Sequence, residues 1–332
     1  MDRVRWGIIG CGDVTEVKSG PALYKCDGSE LVAVMRRDGE KAADYAYRHN
    51  IPRWYDNADA LIEDPDVDAI YIATPPNSHC HYTLLAAAAG KPVYVEKPMA
   101  LNYAECKEMT AACAAAKVPL FVAYYRRQLP PFVKVAELLR GGALGQVRFA
   151  TIQQYGAPSA ADLDSTRHPW RVVREIAGNG YFYDLGCHQL DLLDYLLGPV
   201  VSARGAAANQ AGLYESDDIV NALFEFESGV LGSGLWCFTT FSGNARDCTE
   251  IHGSEGRVEF SAFALNQPVI LSTDKGREEF HFPPPEHVQQ PLIQTIVDEL
   301  RGTGKCPSTG QSGGRTNRVL DMILSKPNAS AD

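Results

Sequence analysis

No stretch of the sequence approaches the roughly 20 consecutive apolar residues that a helix needs to cross a bilayer, so a helical membrane protein is not expected. Cysteine is present without a framework. The nine thiols (11, 26, 80, 106, 113, 187, 237, 248 and 306) are odd in number, scattered, and include no C-x-x-C pair. Disulfides are therefore not expected, and a reducing compartment is. There is no surplus of positive charge: 31 basic against 41 acidic side chains give a net charge of -10, which argues against a nucleic-acid or anionic-lipid partner. The N-terminal stretch breaks into glycines too early for a signal peptide, and no internal repeat or low-complexity segment interrupts the chain, so the expected location is the cytoplasm. What remains is the balance of a folded globular protein, with 45% hydrophobic and 22% charged residues. At roughly 150 residues per domain, its 332 residues suggest two domains.

Up to residue 123, short apolar runs alternate with longer amphipathic ones, the pattern of a parallel sheet with crossover helices. Strands are expected at 4–9, 31–35, 69–74, 92–96 and 120–123, with helices at 13–25, 39–49, 79–90 and 102–117. Beyond Pro130-Pro131 the pattern changes. A helix at 132–140, a strand at 147–155, a polar loop at 157–168 and a helix at 182–197 lead into strand-like runs at hairpin spacing between 202 and 282. These runs read as a mostly antiparallel sheet. Helices at 289–301 and 315–324 follow, and 327–332 reads as a frayed tail. The expected fold is α/β, divided into 1–123 and 124–332.

Gly10-Cys11-Gly12-Asp13-Val14-Thr15 follows the first strand and opens a helix, as G-x-G-x-x-G with Thr15 at the third glycine. Gly10 permits a tight turn, Gly12 lets the backbone approach a pyrophosphate, and unpaired N–H groups of the turn favour the anion. Thr15 is expected to widen helix-to-sheet packing slightly. After the second strand, Arg36 and Arg37 offer guanidinium groups suited to a 2'-phosphate, which favours NADP. Asp38, slightly displaced, could instead read the ribose of NAD. Thr74-Pro75-Pro76-Asn77-Ser78-His79 and Glu96-Lys97-Pro98 end strands at the carboxyl edge of the sheet, where ligands bind. Thr74, Pro75, Asn77, His79, Glu96 and Lys97 are accordingly expected beside the cofactor. His79 and His81 flank Cys80, but their spacing makes them diverge, and no metal site is expected. Asp184 and His188, four apart on a helix, share one face as a carboxylate-imidazole pair able to move a proton or simply to pack as a buried pair. Gly186 between them suggests that something lies close against the backbone.

These four motifs in this order resemble the glucose-fructose oxidoreductase, inositol dehydrogenase and rhizopine catabolism (Gfo/Idh/MocA) family. The resemblance implies an N-terminal Rossmann domain and a C-terminal domain whose large, open sheet makes subunit contacts, as a homodimer or homotetramer. It implies hydride transfer between NAD(P) and a hydroxyl or carbonyl carbon of a sugar, cyclitol or related polyol. Carried onto this chain, Lys97 would be the active-site lysine, Asp184 the substrate-orienting acid and His188 the acid/base. Gly178-Asn179-Gly180 stands where the family has three glycines. Tyr125, Arg126, His168, Trp170 and Arg171 are expected to contact the substrate together with Lys97, Asp184 and His188. Two alternatives stay open: a glycosidase that oxidises its sugar transiently with a retained nucleotide, and a non-catalytic nucleotide sensor.

Overall fold

The computed structural model describes residues 2–164 and 166–325; the tail expected at 327–332 lies outside them. The chain divides into two compact units. The first is Met1–Leu129 together with Pro285–Gly314, and the second is Pro130–Pro284 with the residues from Arg315 onward. The expected division at residue 123 is thus moved slightly, and the first unit is closed by a segment that the sequence reading assigned to the second domain.

Along the chain the first unit runs β1 (Val4–Ile9), α1 (Asp13–Val17), α2 (Gly20–Lys25), β2 (Ser29–Met35), α3 (Gly39–Arg48), β3 (Arg53–Tyr55), α4 (Ala58–Glu63), β4 (Ala69–Ile72), α5 (His79–Ala88), β5 (Val93–Val95), α6 (Tyr103–Ala115) and β6 (Leu120–Val122). Its strands form one parallel sheet in the order β3-β2-β1-β4-β5-β6, the doubly wound dinucleotide-binding arrangement. Val, Ile and Ala fill β1, β2 and β4 because helices cover both faces, leaving almost every residue of these strands buried.

Two features depart from the sequence reading. The helix expected at 13–25 is two helices parted at Lys18 and Ser19, because Pro21 has no N–H to continue the first helix and sits instead in the first turn of the second, where none is needed. The second piece nests closely: a Cβ at Gly20 would lie 2.1 Å from the Thr15 carbonyl oxygen. Strand β3 and helix α4 were not read at all. β3 is only three residues long and none of them is buried, so no apolar periodicity marks it.

The second unit runs α7 (Pro130–Arg140), β7 (Val147–Tyr155), α8 (Arg174–Ala177), α9 (Cys187–Leu197), β8 (Val200–Ala208), β9 (Ile219–Phe226), β10 (Leu231–Cys237), β11 (Arg246–Gly253), β12 (Gly256–Phe260), β13 (Val269–Thr273) and β14 (Gly276–Phe280). Its sheet has the order β14-β13-β12-β11-β7-β10-β9-β8, antiparallel throughout except for the β10–β7 pair. Alternation along β9 buries Val220, Ala222, Phe224 and Phe226 on one face and exposes the residues between. β8 and β14 at the two edges carry few buried residues, which is why neither was delimited in the sequence. Two final helices complete the chain, α10 (Gln290–Arg301) in the first unit and α11 (Gly310–Leu324), within which the boundary between units falls.

Candidate functional site

At the end of β1 the Gly10 backbone takes φ +93°, which only glycine adopts without strain, and a Cβ there would meet the Thr74 methyl at 2.7 Å. The N–H groups of Gly10 and Cys11 both bond to the Met35 carbonyl. Thr15 is fully buried, and its hydroxyl donates to the Gly12 carbonyl (2.8 Å) and accepts from the Gly12 N–H (3.1 Å). It therefore knits the turn together from within. The amides of Asp13 and Val14 open α1 beside it, where helix N–H groups lack intrahelical partners. The nearest atom to a Cβ built on Gly12 is 3.9 Å away, so the backbone there is open to close approach. This turn fits a dinucleotide pyrophosphate. Burial pushes the Cys11 thiol up to about 11, which keeps it protonated and chemically quiet.

Beyond β2, Arg36 reaches back to the Cys11 carbonyl (3.3 Å) and Arg37 is exposed. Asp38 caps α3, accepting from the Lys41 N–H at 3.2 Å and pairing with the Lys41 ammonium at 2.7 Å. That pairing holds its carboxyl below the usual range.

The Thr74–His79 loop is braced from within. His79 has no exposed surface, and its ring nitrogens face the carbonyls of Thr74 (2.7 Å), Pro98 (3.1 Å) and Met99 (3.3 Å). Burial lowers its pKa against the pull of those carbonyls. The side chain expected beside the cofactor is thus a strut between two loops, while Thr74, Pro75 and Asn77 lie on the partly exposed loop itself.

The second of those loops carries Glu96-Lys97-Pro98, with a cis bond before the proline. Glu96 is 6% exposed, and its carboxylate accepts from the Tyr71 hydroxyl (2.7 Å), the Gln289 amide (2.6 Å) and the Lys97 N–H (3.1 Å). Gln289 in turn accepts from the Tyr94 hydroxyl at 2.6 Å, and the Tyr71 hydroxyl lies 2.9 Å from Ser19. Burial beside Glu96 raises the Tyr71 phenol well above its ordinary value, so it stays a donor. Glu96, expected at the cofactor, therefore fixes the backbone of the lysine that follows it. Tyr125 and Arg126 lie in the same unit, both largely buried, with the guanidinium 5.0 Å from the Tyr125 ring centroid.

In the second unit, Gly178 (φ +75°) and Gly180 (φ +60°) flank Asn179, whose amide donates to Asp217 at 2.9 Å. The residue replacing the family's middle glycine is thereby held by a loop of its own. Phe182–Gly186 forms a π turn, and α9 begins only at Cys187. Asp184 thus lies in the π turn and His188 in the first turn of α9, and such turns recur at functional sites. Gly186 has the close neighbours anticipated for it: a Cβ would meet the Phe182 ring at 2.8 Å and Trp236 at 3.4 Å. His188 is 3% exposed and sits edge-on to Phe263, with centroids 6.1 Å apart. Asp184 forms an ion pair with Arg171 (3.2 Å), whose guanidinium lies over Trp170. His168 is partly exposed in the preceding loop.

Tyr71, Ser19 and Gln289 were not singled out in the sequence. Tyr71 lies inside an apolar strand and reads as core, and Gln289 is 193 residues from the carboxylate it serves. Among the described residues, no group of three or more His, Cys, Asp or Glu side chains could hold a metal ion, and no helix is long and apolar enough to cross a membrane.

Comparison with known proteins follows this division of the chain. Residues 4–124 match a family described as "Oxidoreductase family, NAD-binding Rossmann fold", and residues 132–259 match the "GFO/IDH/MocA C-terminal domain". The chain is 39% identical to Oxidoreductase P35 of Formosa agariphila, over 97% of its own length and 98% of that protein's. It is 32% identical to the Mus musculus trans-1,2-dihydrobenzene-1,2-diol dehydrogenase, over 85% of this chain and 80% of that one. The aldose-aldose oxidoreductase of Caulobacter crescentus, solved with glycerol, superimposes with a TM-score of 0.83 at 26% identity, covering 96% of each chain.

Proposed function

The chain belongs to the Gfo/Idh/MocA oxidoreductases, with an NAD-binding Rossmann unit, and from that premise we propose that it interconverts a secondary hydroxyl and a carbonyl on a sugar, cyclitol or related cyclic polyol. The observation that carries this reading is the Lys97 turn, fixed through the buried Glu96 carboxylate at the carboxyl end of β5, the edge at which such sheets bind ligands. The nicotinamide, when bound, accepts or supplies the hydride. Lys97 donates to the substrate oxygen as charge develops on it. His188 takes the hydroxyl proton in oxidation and returns it in reduction. Asp184 holds a neighbouring hydroxyl, exchanging its contact with Arg171 for the substrate. NADP is the favoured nucleotide: Asp38 is committed to capping α3 and pairing with Lys41, which leaves Arg36 and Arg37 to meet the 2' position.

Fluorescence titration should give an NADP dissociation constant at least about tenfold below that for NAD, the scale of one good charge-assisted contact. In a nicotinamide absorbance assay at saturating nucleotide, Lys97→Ala and His188→Ala should each lose about a hundredfold or more in rate. Rates near those of the unmodified protein would refute the roles given to these residues.

A homo-oligomer is proposed through the outward face of the large sheet, which exposes Phe149 (42%), Leu223 (50%) and Leu231 (59%). Sedimentation at micromolar concentration should find a dimer or tetramer, and a monomer at every concentration would exclude it.

A further inference from the structure

Asp184 and His188 stand on one continuous segment but on different stretches of it, the π turn Phe182–Gly186 and the first turn of α9. Both stretches are held by one residue of β10, Trp236, whose side chain has no exposed surface. Its ring lies edge-on to Phe182, with centroids 4.9 Å apart and planes at 68°. Its indole N–H donates to Gln189 Oε1 at 2.7 Å. Between these two contacts, a Cβ on Gly186 would lie 3.4 Å from the indole nitrogen. Phe182, Gly186 and Gln189 are four and three residues apart, so a single indole spans one side of the segment from the π turn into α9.

Two glycines make room for that ring. Gly234 and Trp236 are both buried on one face of β10, and a Cβ at Gly234 would run into the far edge of the indole. A Cβ at Gly186 would press into the Phe182 ring at 2.8 Å. The hydrogen bond also orients the carboxamide. An indole nitrogen is a donor only, so Gln189 must turn its oxygen toward it. Its Nε2 is then left buried with no partner among the described residues. Leaving a buried amide unsatisfied is costly, and here it keeps the residue that follows His188 tied to β10. Resting on the oxidoreductase reading above, we propose that Trp236 is a positioning residue for the proton transfer. Acting through Phe182, Gly186 and Gln189, it fixes the π turn and the first turn of α9, and with them the placement of Asp184 and His188.

Two single variants and their combination test this. Trp236→Phe keeps a ring against Phe182 and removes the indole N–H, whereas Gln189→Leu keeps the indole and removes its acceptor. Each should lower kcat about tenfold or more, because a displaced acid/base loses rate steeply. NADP affinity should not change, and the solvent deuterium isotope effect on kcat should rise as proton transfer slows. Trp236→Phe strands the Gln189 oxygen and should also melt lower. The double variant strands neither partner, so it should melt above Trp236→Phe while its kcat stays as low. A merely structural role would return rate together with stability. Recovery of kcat in the double variant, or an unchanged kcat and isotope effect in both single variants, overturns the inference and leaves the oxidoreductase reading standing. Should Trp236→Phe fail to fold, Gln189→Leu, which retains every ring, decides by its kcat and isotope effect. Nucleotide binding without turnover of any sugar, cyclitol, diol or matching ketone by the unmodified protein overturns both.

Discussion

Glu96 accepts hydrogen bonds from three donors contributed by β4, its own turn and the segment just before α10. A buried carboxylate so held keeps its orientation, and here it also sets the backbone from which Lys97 projects. Replacing Gln289 by Leu removes one of those donors and leaves the Tyr94 hydroxyl without its acceptor. Each buried group so stranded costs about 1–3 kcal/mol. The expected result is a kcat reduced about tenfold or more with NADP affinity within about twofold, read by steady-state rates and fluorescence titration. Gln289→Glu adds a second carboxylate against the first, so one of the two must hold a proton near neutrality. This variant should add a titration to the pH profile of kcat that the profile of the unmodified protein does not show, which a purely structural role would not produce. An unchanged kcat in both variants would remove Gln289 from the positioning of Lys97. The lysine itself was legible in the sequence because a short motif carries it. Its support was not, since partners 25 and 193 residues away from Glu96 become neighbours only through the topology.

At the scale of the elements, regular periodicity was readable and its interruptions were less so. β1 and β7 have the limits that their apolar and β-branched content implies, Val4–Ile9 and Val147–Tyr155. The gap between α1 and α2, by contrast, turns on Gly20 and Pro21, and the π turn at Phe182–Gly186 on a glycine pressed against two rings. α1 is only five residues long and is clamped to α3 from outside. Glu16 makes two hydrogen bonds with Arg48, both 2.8 Å, and a third contact with His49 at 3.0 Å; Asp44 shares the same arginine at 2.7 Å. The Arg48 guanidinium is the main reason that the Glu16 carboxyl falls from 4.5 to about 2. A carboxyl held below its unfolded value adds stability above that value and loses it as pH falls through the folded one. Glu16→Gln should therefore lower the melting temperature at pH 5 to 8, modestly because the pair is partly exposed. The difference should shrink between about 4.5 and about 2. Thermal melts across that range check it, and a difference that does not change with pH would contradict it.

For the molecule as a whole, two domains and the class of each were legible from the change of pattern after Pro130. The return of residues 285–314 to the first unit was not, because an amphipathic helix does not say which sheet it covers. In the fold, α10 buries Leu292, Ile293, Ile296 and Val297, packing with β1 and α2. Each such side chain contributes about 1.5–3 kcal/mol when fully buried. Gln289 reaches Glu96 from the start of the same segment. This discontinuity orders events during synthesis. The ribosome must translate residues 130–284 before α10 can pack on the first unit, so until then a nascent chain leaves the apolar surface that α10 covers on β1 and α2 without its partner.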